Sequence, residues 1–79
     1  MSIDDAIKQV QLTIKATSPG TEIKVVKMSE EEARVSVYAD AGDMQAIKDA
    51  TFQPVMDLLM TGLDVQVFVY DKDNSTPTA

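Results

Sequence analysis

The apolar period of this chain switches from helical to two-residue, returns to helical, and switches again. That order reads as a mixed α+β fold. Ile3, Ile7, Val10 and Ile14 recur at spacings of four, three and four, which makes one stripe on a helix. Ser2 followed by Asp5 is a capping-box-like start with Asp in place of Glu. Asp4 and Asp5 fall in the first turn and Lys15 in the last, as the helix dipole favours. Pro19-Gly20 ends this segment in a turn. Residues 21–28 are rich in β-branched side chains and alternate, so they read as a strand. Ser29-Glu30-Glu31-Glu32 is a polar connection short enough for a hairpin, and residues 33–40 form the second strand. There Ala33, Val35, Val37 and Ala39 point one way and Arg34, Ser36 and Tyr38 the other.

Asp43 is placed to cap the next helix, with Met44, Ile47 and Ala50 on its buried side. Pro54 then intervenes. Inside a helix, proline removes a hydrogen bond and clashes with the preceding turn, at a cost of about 3 kcal/mol. In the first turn of a new helix it costs little. The expectation is therefore two helices, at residues 43–50 and 53–61. The second carries Val55, Leu58 and Leu59, and Gly62 follows as its C′ residue. Residues 63–71 make a third strand with Leu63, Val65, Val67 and Val69 on one face. The order is αββααβ. The hairpin sets the first two strands antiparallel, and the crossover returns the third parallel to the second. This predicts a two-layer α+β domain, with a three-stranded mixed sheet centred on the second strand and the helices on one face. Residues 1–71 form that single domain, and residues 72–79 are a polar tail expected to be disordered.

Composition narrows what such a domain can do. With no Trp and few aromatics, the core has to be aliphatic. A core of this size leaves a margin of roughly 3–5 kcal/mol unless something staples it. The absence of Cys and His removes disulfides and the common zinc and haem sites, so no cofactor is expected and oligomerisation is the remaining staple. A net charge of −6 weighs against a general attraction to phosphate backbones. The opening residues lack a basic and apolar leader, and no apolar run is long enough to span a membrane. A cytoplasmic location follows as the expectation.

The segments Val35-Ser36-Val37-Tyr38-Ala39-Asp40, Asp43-Met44-Gln45-Ala46-Ile47, Val55-Met56-Asp57-Leu58-Leu59 and Val65-Gln66-Val67-Phe68-Val69 follow one another in an order that resembles the β-α-α-β unit of the type II KH domain. With the leading helix and strand, the resemblance covers residues 2–71. The alpha-lytic protease prodomain is similar in its architecture. The KH resemblance implies a Gly-x-x-Gly loop between the central helices, whose backbone approaches the phosphates of a single strand. The equivalent place here holds Asp49-Ala50-Thr51-Phe52, a degenerate loop without glycine and with a carboxylate that repels phosphate. Nucleic-acid binding is not carried over at those residues. The same order also resembles the C-terminal domain of NifU-type iron–sulfur scaffolds, whose Cys-x-x-Cys has no counterpart in this chain.

Alternation places Tyr38, Phe68 and Tyr70 together on the sheet face that the helices leave open, with Val26 and Met28 joining from the first strand. Lys24, Arg34, Ser36, Asp64 and Gln66 form a polar surround. An exposed apolar patch on a small protein marks an interaction surface, here for a second copy or a protein partner. The rival use is a stacking platform for single-stranded bases. Asp40, Asp43, Asp49 and Asp57 are the carboxylates available for acid–base work or Mg²⁺, although helix capping and solvation account for them. Asp71-x-Asp73-x-Ser75 looks like the start of a calcium loop but lacks the glycine that should follow, and Glu30-Glu31-Glu32 reads as a solvated hairpin tip. No nucleophile has an evident base, and no glycine-rich phosphate loop is present, so the expectation is a non-enzymatic interaction domain.

Overall fold

In the computed structural model, which describes residues 1–73, α1 (Ile3–Thr17) leads into β1 (Glu22–Lys27) and β2 (Glu32–Ala39). A 3-10 turn (Ala41–Asp43), α2 (Met44–Met60) and β3 (Asp64–Asp71) follow. α1 starts as its sequence dictates: Ser2 Oγ accepts the Asp5 N–H at 3.2 Å. All four stripe residues are buried, together with Ala6. The Ser18 N–H closes the helix on the Ile14 carbonyl. Its hydroxyl donates to Asp43 Oδ2 at 3.0 Å and so ties the end of α1 to the entry of α2.

The sheet has the order β1-β2-β3, antiparallel on one side of β2 and parallel on the other. Across it, Val35 lies between Val25 and Val67, and Val37 between Ile23 and Val69. The inward residues of β2, Ala33, Val35, Val37 and Ala39, are all buried. Both helices lie over this face. The core joins Ile3, Val10 and Ile14 of α1, Ile47 and Leu58 of α2, and the inner residues of β2 and β3. The expected α+β architecture and its mixed sheet are therefore present, and the 3-10 turn and α2 supply the two helical elements between β2 and β3.

The break between those elements does not fall where Pro54 predicted it. α2 runs unbroken from Met44 to Met60 with Pro54 inside it. Residues 49–52 are thus about one turn of helix and not a loop. The reason lies in packing. Ile47, Thr51 and Leu58 form one buried stripe that stays in phase only if the helix continues through the proline. Burying an Ile and a Leu contributes about 1.5–3 kcal/mol each, enough to offset a proline penalty of about 3 kcal/mol. The same phase turns Leu59, expected on the buried side, out to solvent, and leaves Met44 half-buried. Asp43 also does not cap α2 with its side chain, which is held by Ser18; the 3-10 turn before Met44 supplies the first backbone bonds instead.

α2 ends in a Schellman motif: the Leu63 N–H donates to the Leu58 carbonyl and the Gly62 N–H to the Leu59 carbonyl, both at 3.0 Å. Gly62 has φ +92°, a conformation open to glycine at little cost. Beyond β3, the Lys72 N–H donates to the Ala39 carbonyl at 2.9 Å, so Lys72 extends the ladder and does not belong to the expected tail. Residues 74–79 of that tail, with Ser75 of the Asp71-x-Asp73-x-Ser75 pattern, lie outside the described residues.

Pro54→Ala separates the two readings of this region. In a continuous helix the substitution restores a donor to the Ala50 carbonyl, and stability rises by about 2 kcal/mol after the lost rigidity of the unfolded chain is subtracted. Were Pro54 in the first turn of a separate helix, stability would fall. Urea unfolding, with an unchanged m-value, reads the sign.

Candidate interaction face

The face of the sheet away from the helices is built in rows by the strand register. One row is Glu22, Tyr38 and Tyr70; the next is Lys24, Ser36 and Phe68; the third is Val26, Arg34 and Gln66. Tyr38 and Tyr70 stand opposite each other across the parallel pair. Their rings stack with centroids 5.4 Å apart and planes 23° from parallel. Phe68, two residues along β3 from Tyr70, completes the cluster. Phe68 and Tyr70 are 39% and 41% exposed, and Tyr38, on the central strand, is half-buried.

The polar surround sits on the rings as well as around them. Lys24 Nζ lies 5.6 Å from the Tyr38 centroid, and the Arg34 guanidinium carbon lies 5.5 Å from the Phe68 centroid. Both are diagonal neighbours across a strand pair, a separation that long cations reach. Gln66 Nε2 donates to Glu32 Oε2 at 3.0 Å and to Asp64 Oδ2 at 3.3 Å, which orders the end of the face near the hairpin. Val26 is exposed on this face, but in the third row, beside Arg34. Met28 lies past the end of β1 in the hairpin connection, where its N–H donates to the Glu32 carbonyl. The structure thus brings Tyr38, Phe68 and Tyr70 together and sets Val26 and Met28 apart from them.

Asp40, Asp43, Asp49 and Asp57 are each held by a neighbour. Asp40 pairs with Lys72 at 3.1 Å, and this bond raises the Lys72 ammonium above the ordinary lysine value. Asp43 accepts from Ser18, Asp49 from Gln45 and Asp57 from Gln53. Asp49 and Asp57, eight residues apart on one helix, are separated by roughly 12 Å along its axis. Among the described residues no three His, Cys, Asp or Glu side chains stand together as metal ligands.

A second apolar surface escaped the reading of the sequence. Phe52, 66% exposed, lines a groove of about 320 Å³ with Lys48, Thr51, Val55 and Met56 of α2 and Val67 and Val69 of β3. Phe52, Met56 and Leu59 follow one another at spacings of four and three, beside the buried stripe of α2. That pattern was present in the sequence, but it becomes a continuous stripe only when the helix passes through Pro54.

The Tyr38–Tyr70 stack is worth about 0.5–1.5 kcal/mol beyond the area it buries. A double-mutant cycle with Tyr38→Leu and Tyr70→Leu is expected to return a coupling energy in that range, measured by urea unfolding. A coupling near zero would reduce the pair to mere neighbours. Comparison of the chain with family models, with curated proteins and with solved structures returns no match.

Proposed function

We propose that this is a small non-enzymatic protein-interaction domain, KH-like in frame, that associates with itself through the open sheet face. The observation that carries this reading is the aromatic cluster of Tyr38, Phe68 and Tyr70, two of them about two-fifths exposed, on the face the helices leave uncovered. Contiguous exposed apolar surface of this kind on a small domain marks a contact site. The stability argument points the same way. A core of this size leaves a margin of roughly 3–5 kcal/mol, and in a chain without Cys or His self-association is the available staple. With residues 49–52 inside α2, the resemblance to KH domains provides no loop to cradle phosphate. No helix among the described residues is long and apolar enough to cross a membrane.

Phe68→Ser tests this directly. The wild-type chain is expected to sediment as a dimer at tens of micromolar, and the variant as a monomer with an unchanged far-UV spectrum. A monomeric wild type at that concentration would end the proposal.

A second reading is weak binding of single-stranded RNA or DNA. It is favoured by the placement of Lys24 and Arg34 over the rings, since aromatic platforms flanked by cations stack bases. The net charge of −6 and the prior occupation of both rings by those cations count against it. An amide NMR titration with mixed-sequence single-stranded RNA separates the two readings. Binding to RNA would shift Tyr38, Phe68 and Tyr70 at low salt and fade steeply as salt is added, whereas no shift is expected from a self-association domain.

A further inference from the structure

The two edges of the sheet are chemically unlike. β1, at one edge, carries Lys24 on the outer face and Lys27 on the helical side, where Lys27 pairs with Asp4 of α1. Lysines on an edge strand, one of them turned inward, are a recognised defence against pairing with another chain. β3, at the other edge, reads Asp-Val-Gln-Val-Phe-Val-Tyr-Asp, with no Lys, Pro or Gly along its length. It has the length and composition of a strand that accepts a partner.

Its backbone directions can be assigned. The Asp64 N–H donates to the Glu31 carbonyl at 2.7 Å and the Lys72 N–H to the Ala39 carbonyl at 2.9 Å, so both point toward β2. Backbone groups alternate along a strand, and Val65, Val67, Val69 and Asp71 therefore direct theirs at the open edge. Phe52 and Met56 flank this edge on the helical side.

We infer that two copies of this chain pair antiparallel along β3, with Phe68 on the two-fold axis and Asp64 of each copy opposite Lys72 of the other. The inference rests on the self-association proposed above but moves the contact from the open face to the β3 edge beside it, so that the copies meet edge to edge in one continuous sheet. Charge and register select the arrangement. Across a two-fold axis normal to the sheet, facing residues must share a face. Asp64 and Asp71, on opposite faces, therefore never confront each other. With Phe68 on the axis, Val67 faces Val69, Gln66 faces Tyr70, and Asp64 faces Lys72 at both ends. A shift by one step toward either end sets Asp64 against Tyr70 or Lys72 against Gln66 and leaves the opposite charges unmatched. Lys72, which already pairs with Asp40, then bridges two carboxylates. The outward N–H and C=O groups of Val67 and Val69 bond to one another across the axis, and Phe52 and Met56 approach their copies over the joined edges.

The test uses Asp64→Lys and Lys72→Asp, made separately in the full chain and followed by sedimentation at low salt. Each variant alone sets like charges opposite each other at both ends of the pairing, and its dimer is expected to weaken by about tenfold or more. An equimolar mixture of the two restores opposite charges at both ends and is expected to recover a dimer. Amide hydrogen exchange of the wild type is the second readout. Val67 and Val69 are expected to gain protection as concentration rises through the dimerisation range, whether or not the variants fold. A dimeric wild type with fast exchange at Val67 and Val69, or two single variants that dimerise as tightly as the wild type, would overturn edge pairing and leave self-association through the open face standing. A monomeric wild type would overturn both.

Discussion

The burial of β2 organises everything else in this domain. Its inward residues, Ala33, Val35, Val37 and Ala39, are at most 1% exposed, and its backbone carries both ladders of the sheet. Each buried valine contributes about 1.5–3 kcal/mol. These side chains meet α1 through Val10 and Ile14 and α2 through Ile47 in one shared core. Because β2 is paired on both sides, its outward residues Ser36 and Tyr38 are partly shielded by neighbours, and only the two flanking strands are left with an open edge. Tyr38, on β2, is therefore half-buried, and Phe68 and Tyr70, on β3, are the exposed members of the aromatic cluster.

The course of α2 through Pro54 shows how tertiary packing overrides a local signal. A proline of this kind ends most helices, and the cost of keeping it is real. Here Ile47, Thr51 and Leu58 share one buried line, and interrupting the helix would bring at least one of them out of the core. The Thr51 hydroxyl, buried at that point, donates to the Ile47 carbonyl at 2.8 Å, so burial of this polar group is compensated within the helix. The consequence is direct: Asp49, Ala50, Thr51 and Phe52 become helix surface and core, and no loop interrupts the chain at residues 49–52. The same continuity turns Phe52, Met56 and Leu59 outward as a stripe.

Charge is distributed over this frame without forming a site. Asp43, Asp49, Asp57 and Asp40 are individually bonded to Ser18, Gln45, Gln53 and Lys72. The cations of the outer face lie over Tyr38 and Phe68, where they cover ring surface that would otherwise be wet. Of the exposed large apolar side chains, Phe68 and Tyr70 lie on β3 and Phe52, Met56, Leu59 and Met60 on α2, with Leu12, Val26 and Met28 among those elsewhere. The place of Phe68 and Tyr70 is why the proposed contacts all involve β3.

The sequence by itself determined the elements whose signals are local and periodic. The stripe of α1 and its Ser2 cap, the alternation of β2 and β3, the hairpin, the glycine stop at Gly62 and the parallel return of β3 were all legible. Each depends on residue spacing or on one backbone conformation. The grouping of Tyr38, Phe68 and Tyr70 was legible for the same reason, since period-two alternation assigns a face once a strand is recognised. Tertiary structure alone decided three matters. Packing energy kept α2 whole where local propensity argued for a break, and so exposed Leu59 and Phe52. The short 3-10 turn and the Ser18 hydroxyl took Asp43 away from its expected cap. The Ala39 carbonyl joined Lys72 to the ladder of β3, an outcome set by how far the parallel pairing runs and so beyond the reach of any local pattern.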